Sequence, residues 1–390
     1  MVSKRCRVVI VGAGYAGVMA ANRLAGNQRL SDSISVTVLN PAADFVERIR
    51  LHEVAAGTRE SASVLMRTLL HQRAAMVEGT ASRIDPEHRK VHLAGTRATL
   101  DYDILLYAVG STQASSKIPA GAYGLKDSED ARRLRDRLIQ LDPAATVSVI
   151  GAGLTGIEVA AEIAEQYPHL QVRLISRGAI AESLSGPGRH AVTKRLSALG
   201  VEMVENTDVK RCDDSSIQTA GGEASPSDCT IWTAGFSAPD LARESGLVTD
   251  GLGRLIVGES LSCPQYPNIF GAGDAIQAPP SVAGHLRMSC ATALPLGAHA
   301  ADNIIARLEK RAPAPLSAGY MLRCISLGRK SGLIQAVHAD DRPRSLVLRG
   351  RLAGMAKAQM CRMTLSWIRG ELRRNGSYNW PTGPRPAEAR

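Results

Sequence analysis

Two stretches of the chain carry the same hydrophobic pattern. Each opens on a near-continuous apolar run, Arg7-Val-Val-Ile-Val11 and Thr146-Val-Ser-Val-Ile150, as a strand buried on both faces requires. Each run breaks at glycines and resumes with the 3.6-residue spacing of an alanine-rich helix, over 18–25 and 157–164. A further apolar run follows, Ile34-Ser-Val-Thr-Val-Leu39 in the first case and one ending Arg173-Leu-Ile-Ser176 in the second. The pattern predicts two βαβ units, at 7–40 and 146–176. Between them, residues 75–106 alternate polar with apolar, which predicts short, half-exposed antiparallel strands. Helical spacing predicts helices near 127–141, 188–199 and 289–309, the last ended by Arg311-Ala-Pro-Ala-Pro315. Residues 351–374 read as a basic amphipathic helix with Leu352, Met355, Met363, Trp367 and Ile368 on its apolar face.

The break in each unit has a specific chemistry. Gly12-Ala-Gly14-Tyr-Ala16-Gly17 and Gly151-Ala-Gly153-Leu-Thr-Gly156 are both Gly-x-Gly-x-x-Gly turns between a strand and a helix. The first glycine allows the tight turn, the second lets a pyrophosphate approach the backbone, and the third packs helix against strand. The pyrophosphate then meets unpaired N–H groups at the positive helix end. Two such turns, 139 positions apart, imply two dinucleotides in one chain, with electrons passing between them.

Four landmarks, in this order, resemble the pyridine nucleotide–disulfide oxidoreductase superfamily of two-dinucleotide flavoproteins. They are the first fingerprint, Tyr102-Asp-Ile-Leu-Leu-Tyr-Ala-Val-Gly110, the second fingerprint, and Asn268-Ile-Phe-Gly-Ala-Gly-Asp-Ala275. Within it, Arg50-Leu-His-Glu-Val-Ala-Ala-Gly57, Gly297-Ala-His-Ala-Ala-Asp-Asn-Ile304, Cys324-Ile-Ser-Leu-Gly-Arg329 and Leu348-Arg-Gly-Arg-Leu-Ala353 resemble segments of the type II NADH dehydrogenases and their soluble relatives. The resemblance implies an α/β fold of two Rossmann-like domains, the second inserted in the first, plus a small C-terminal α+β region. The expected bounds are 1–115 with 240–316 for FAD, 116–239 for NAD(P), and 317–390 for the C-terminal sheet, amphipathic helix and basic tail.

By the same resemblance FAD is expected at Gly12, Gly14, Ala16, Gly17, Asn40, Gly110, Gly273 and Asp274, and the nicotinamide cofactor at Gly151, Gly153, Gly156, Ser176 and Arg177. Asn40 stands where an acid would accept the ribose hydroxyls, and keeps the hydrogen bond without the charge. Ser176 and Arg177 stand where an NAD site carries an acid, and a guanidinium there suits a 2′-phosphate, so NADPH is expected over NADH. Glu158 falls where the branch has a glutamate near nicotinamide and flavin, there to orient the carboxamide or relay a proton. Read locally, it is an acid near a helix start that favours the dipole. Arg48, Arg50, His52 and Glu53 fall on the segment placed near the isoalloxazine: an arginine there stabilises reduced flavin, and a histidine passes protons. Cys290 is expected near the flavin by alignment alone. Ala291, Pro295 and Leu296 replace the glutamines of quinone-reducing members, and Pro295 is expected to disturb the start of its helix.

Composition narrows the field. Seven cysteines lie scattered at 6, 212, 229, 263, 290, 324 and 361, with no pair at metal-ligand or redox-disulfide spacing. No metal site is expected. The net charge is +10, and eleven basic residues against two acids fall within 342–390. Few aromatics and no recognisable module accompany them, so nucleic acid is not an expected partner. An anionic membrane surface contacted through 351–374 is a candidate partner, and a solvated surface helix and tail the plainer account. The first strand begins too early to leave room for a signal peptide, and no apolar run reaches membrane-spanning length. The expectation is a cytoplasmic protein, with peripheral contact at the inner face of the membrane as its variant. The sequence thus points to an FAD-dependent NAD(P)H oxidoreductase with a small-molecule acceptor, an organic metabolite among the candidates. A membrane-bound NADH:quinone oxidoreductase and a flavin-dependent redox sensor with incidental turnover are the alternatives, and the oligomeric state is open.

Overall fold

The structure is a computed structural model that describes residues 5–113 and 118–384. The expected boundary at 115/116 and the last six residues of the basic tail lie outside the described residues. Five parallel strands form the first sheet, in the order Ile269–Gly271, Ile104–Tyr107, Cys6–Val11, Ile34–Asn40 and Ala74–Glu78. Five more form the second, in the order Ala122–Tyr123, Cys229–Trp232, Thr146–Ile150, Gln171–Ile175 and Glu202–Val204. The fold is α/β with two Rossmann-like units, and the second lies between the first unit's strands Ile104–Tyr107 and Ile269–Gly271. In both sheets the fingerprint strand is central, with neighbours whose connections leave in opposite directions, which opens a crevice at its carboxyl end.

Each unit also carries a three-stranded antiparallel meander: Ala81–Asp85, Lys90–Leu93 and Thr99–Asp101 in the first, Val209–Cys212, Ser216–Thr219 and Ala224–Pro226 in the second. The alternation in 75–106 therefore has its counterpart in a stretch where the pattern is fainter. The short pair Thr112–Gln113 and Phe236–Ser237 ties the two crossings between the units.

Helix ends follow local chemistry. Asp127 accepts from Glu129 N and Asp130 N and caps Ser128–Ile139. Ser185 accepts from Gly188 N and caps Gly186–Ala198, whose proline sits at the tolerated first turn. The helix Cys290–Leu308 runs through Pro295 as one element, without a break. It packs closely on Tyr15–Gly26 because Gly297 faces the carbonyl of Ala16, where a Cβ would collide.

The C-terminal region is an antiparallel sheet of Leu322–Ser326, Gly332–Val337 and Pro343–Gly350, followed by the helix Arg351–Arg373. That helix differs from the expected amphipathic one. Its buried positions are Ala353, Cys361, Thr364, Leu365, Ile368 and Glu371, whereas Leu352 and Met355 are each 68 % exposed. The reason is tertiary. The helix leaves the C-terminal sheet, crosses the buried junction between domains, and ends against the first domain, where Leu365, Ile368 and Trp367 join its core.

Candidate functional site

The two fingerprints fold into matching cradles. Gly12 and Gly151 have φ of +102° and +103°, a region only glycine enters without strain. A Cβ on Gly17 would strike the carbonyl of Gly12, and one on Gly156 that of Gly151. A Cβ on Gly14 or Gly153 would meet nothing within 4 Å. Gly14 and Gly153 cap the helices Tyr15–Gly26 and Leu154–Gln166, neither of which has a side-chain cap or an acid in its first turn. Both positive helix ends are therefore left to an outside anion, and both cradles fit a pyrophosphate.

Beside the first cradle, Asn40 is already engaged. Its Oδ1 accepts from Ala13 N at 3.0 Å, and its Nδ2 donates to Ala42 O at 2.8 Å, so it fixes the fingerprint loop. The turn Gly273-Asp274 sits between the two packed helices, with Ala16 Cβ 3.1 Å from the Cβ position of Gly273. Burial raises the Asp274 carboxyl above its ordinary range. Its Oδ2 accepts from Ser111 Oγ and its Oδ1 from Ser289 N, both at 2.9 Å. Arg48 Nη1 donates to Ser111 O at 2.6 Å, and its reach towards Gly110 completes the group. Arg48, Gly110, Ser111, Gly273 and Asp274 thus converge on one wall of the first domain.

Glu158 occupies the junction of all three regions. It is not a first-turn acid on the helix Leu154–Gln166. Its Oε1 accepts from Ser326 N at 2.9 Å and lies 3.0 Å from Lys357 Nζ, which also donates to Cys324 O. Burial alone would raise the Glu158 carboxyl; Lys357 outweighs it, with His52 and Ser326 assisting, and holds it below the ordinary range. Glu158 pushes the Lys357 ammonium up in turn, against burial.

A second charge cluster lies alongside. Arg50 is 3 % exposed; it pairs with Glu47 at 3.3 Å and with both oxygens of Glu53 at 3.0 Å, and donates to Ala358 O. Glu53 also binds Arg59 and Arg329, and Arg329 reaches Glu162 at 2.6 Å. His52 is buried, and its Nε2 has no hydrogen-bond partner among the described residues. Residues 50–53 are buried, and Arg48 and Ile49 half-buried. Cys290 opens the helix Cys290–Leu308, and burial pushes its thiol up to about 11. Burial thereby disfavours the thiolate, the form in which a cysteine acts as a nucleophile.

In the second domain, Ser176 N donates to Val204 O, and Ser176 O accepts from Thr207 N, both at 2.8 Å. Arg177 is exposed and has no ion-pair partner among the described residues. Glu205 stands beside this loop, accepting from Ile180 N and pairing with Arg189 at 2.9 Å. Sequence reasoning missed Lys357, Ser111, Ser326, Arg329, Glu162 and Glu205. Each matters through a partner that is remote in the chain, and no local pattern marks it.

Two matching cradles, one per parallel sheet, with a buried polar junction between the domains, define a protein built to hold two dinucleotides. The profile of the pyridine nucleotide-disulphide oxidoreductases matches residues 6–293, and the chain belongs to that family. It is accordingly an NAD(P)H-dependent flavoprotein oxidoreductase that carries FAD. It is 25 % identical to the NADH dehydrogenase-like protein YutJ of Bacillus subtilis, over 90 % of this chain and 96 % of that one. It is 30 % identical to the type II NADH:quinone oxidoreductase Ndh of Mycobacterium tuberculosis, over 72 % of this chain and 69 % of that one. The fold matches NDH2 of Plasmodium falciparum, solved in complex with NADH, with a TM-score of 0.79 over 97 % of this chain and 99 % of that one at 16 % identity.

Proposed function

We propose that the protein takes hydride from NADPH held at the second fingerprint, passes it to FAD held at the first, and delivers the electrons to a small organic acceptor. The observation that carries this reading is the repeated cradle, with the same glycine clashes and the same open second glycine in each domain. FAD is assigned to Gly12, Gly14, Ala16, Gly17, Asn40, Gly110, Gly273 and Asp274. The nicotinamide dinucleotide is assigned to Gly151, Gly153, Gly156, Ser176 and Arg177, with the free guanidinium of Arg177 supporting a 2′-phosphate. When bound, the flavin supplies two-electron acceptance at N5 and release to a second substrate.

The chain's own groups orient and insulate. Glu158, kept charged by Lys357, is a fixed acceptor suited to the carboxamide N–H of a nicotinamide. Arg48 holds Ser111 and faces Asp274, supplying positive charge beside the wall where the reduced ring would carry negative charge. His52 is the buried imidazole of the junction, with an Nε2 that no described residue hydrogen-bonds, free to meet a bound group. Pro295 and Leu296, buried on the helix Cys290–Leu308, carry no side chain able to hydrogen-bond an acceptor.

The test is anaerobic. Purified yellow protein is mixed with NADPH, then separately with NADH, and the visible flavin band is followed. Faster bleaching by NADPH is expected. Equal or faster bleaching by NADH refutes the cofactor preference, and bleaching by neither refutes the nicotinamide site. Adding carbonyl, quinone and one-electron acceptors to the reduced protein then identifies the oxidative half-reaction. Turnover with quinones alone replaces the organic acceptor, and negligible turnover with every class replaces the enzyme reading with a redox sensor.

A further inference from the structure

Between the Gly273-Asp274 turn and the helix Cys290–Leu308 the chain makes a detour of 15 residues. Ile276–Gln277 first pairs with the strand Leu255–Ile256. Pro280 then opens the single turn Pro280–Ala283, where its missing N–H costs nothing, and Gly284 ends it. The detour and the two-stranded ribbon border a cavity of about 180 Å³. Gly273 and Asp274 form one wall of it, and Thr292 and Leu296 of the long helix another. None of the fingerprint glycines, Asn40, Arg48 or Gly110 lines it, so it is separate from the cradle assigned to FAD.

Arg287 brings to this cavity a guanidinium that is fixed but not used up. Its Nε lies 2.9 Å from Asp341 Oδ2, and its central carbon 4.8 Å from the centre of the Tyr320 ring. The backbone is held as well: Arg287 N donates to Tyr320 Oη at 3.0 Å, and Arg287 O accepts from Thr292 Oγ1 at 2.7 Å. Asp341 is shared, because Arg323 Nη2 donates to the same Oδ2 at 2.6 Å. One carboxylate thus serves two guanidinium groups, and neither Nη of Arg287 donates to a described residue. Arg254 brings a second guanidinium, with its Nε and Nη2 on Asp250 Oδ2 at 2.8 and 2.7 Å. Asp274 does not oppose them, since its oxygens are engaged by Ser111 Oγ and Ser289 N and Arg48 faces it. Ile276, Ala278, Ala283, Leu286, Met288 and Leu296 make most of the remaining lining apolar, and exposed Gly284 opens it to solvent.

A guanidinium with spare donors beside an apolar lining suits an organic anion better than an inorganic one. A carboxylate meets the fork of donors in a bidentate contact, and the apolar wall accepts its carbon body. A cavity of about 150 Å³ is enough to hold benzene, so a body of one ring or a short branched chain fits. Tyr320 and Asp341 already hold the Arg287 side chain, which therefore loses little freedom on binding. We propose that the cavity bordered by Arg254, Asp274 and Arg287 binds a small organic carboxylate, outside both dinucleotide cradles. The occupant lies one wall away from the flavin cradle, against the start of the helix Cys290–Leu308. The inference concerns binding, and stands whether or not this carboxylate is the proposed electron acceptor.

Full-length, FAD-loaded protein is titrated with benzoate by isothermal calorimetry. Saturable binding is expected, with benzamide, a neutral analogue of the same shape, binding roughly ten- to a hundredfold more weakly. Arg287→Met should lower the affinity for benzoate by the same factor, and it leaves no acid stranded because Asp341 keeps Arg323. Ala283→Leu keeps both guanidinium groups but fills the space, and should abolish binding. Melting temperature and flavin content establish that each variant is folded. Saturating NADP⁺ should leave benzoate binding intact. No saturable binding by the unaltered protein overturns the inference, as do equal binding of benzamide, displacement by NADP⁺, and undiminished binding by both variants. Displacement of benzoate by inorganic phosphate at the same concentration means an adventitious ion only, and overturns it too.

Discussion

Lys357 Nζ lies 3.0 Å from Glu158 Oε1, joining the C-terminal helix to the helix of the second fingerprint across 199 positions of chain. The pair is nearly sealed, with side chains 16 % and 11 % exposed. Removing one member leaves the other buried without its counter-charge, which costs about 3–5 kcal/mol. Lys357→Met and Glu158→Gln are each expected to destabilise by that order in urea unfolding. The double variant should recover at least half of the loss. Purely additive losses would show that the two groups do not depend on one another.

Glu53 gives the acid dependence of stability. Burial pushes its carboxyl up, but Arg329, His52, Arg59 and Arg50 together prevail and hold it at about 2, from an unfolded value near 4.5. A depressed carboxyl stabilises the fold fully above the unfolded value and less as pH falls towards the folded one. The contribution is on the order of 3 kcal/mol, at about 1.4 kcal/mol for each pH unit of separation. Stability should therefore fall between pH about 4.5 and about 2, and Glu53→Gln should flatten that limb while lowering stability at pH 7. An acid limb of unchanged slope in the variant would remove Glu53 as its source.

Local signals made one layer of this molecule readable and left another invisible. Near-continuous apolar runs place the fingerprint strands, the 3.6-residue period places the helices after them, and the glycine turns follow from stereochemistry that any chain must obey. Asn40 was singled out by its distance from the first of those turns, and Glu158 and Asp274 by the family resemblance. Their partners were not: Ser111, Ser326 and Lys357 meet them only after the chain has folded. The C-terminal helix was misread for the same reason. Its spacing of apolar residues is genuine, but Ile368 is buried by the first domain while Leu352 faces outward, a choice the spacing does not contain. Cys290 was picked by alignment, and the burial that raises its thiol is a tertiary property.

The glycines of the second fingerprint separate packing from binding. Gly156 has no room for a Cβ, because Gly151 O fills that space and Thr233 Oγ1 lies 2.8 Å away. Gly156→Ala should shift the backbone and destabilise by at least 2 kcal/mol. Gly153 opens on free space. Gly153→Ala should fold with an unchanged melting temperature and full FAD content, yet raise KM for the nicotinamide substrate tenfold or more. Unchanged KM would place the pyrophosphate elsewhere.

Arg177 carries the cofactor preference if the proposed reading holds. A charge-assisted contact to a 2′-phosphate is worth about 1.5–3 kcal/mol, or roughly 10- to 100-fold. Arg177→Ala should lower kcat/KM for NADPH by that factor and leave NADH nearly untouched, since the exposed side chain supports nothing else. Glu205→Gln loosens the loop through Ile180 and should give a smaller loss of the same kind. An equal fall with both cofactors after Arg177→Ala would mean that the guanidinium does not read the phosphate.

Glu371 fastens the end of the chain to the helix of the first fingerprint. It is completely buried and accepts from Gly376 N at 2.6 Å and Tyr378 N at 2.9 Å. It also lies 3.4 Å from Arg23, whose guanidinium pairs with Asp302 and donates to Tyr378 O. Trp380 then donates to Ser317 O and sits under Arg23. Glu371→Ala leaves the buried Tyr378 amide without its acceptor and takes from Arg23 one of its two carboxylates, at about 1–3 kcal/mol for the buried group left unpaired. The strap over 375–384 should detach before the domains unfold, because it is a terminal segment outside any helix or sheet. Trypsin should then cut at Arg373 and Arg374 at least tenfold faster in Glu371→Ala than in the unaltered protein, with FAD still bound. Glu371→Gln, which keeps an acceptor but loses the charge, should fall between the two. Equal cleavage rates in all three would show that the strap is held by its aromatic contacts and not by the buried carboxylate.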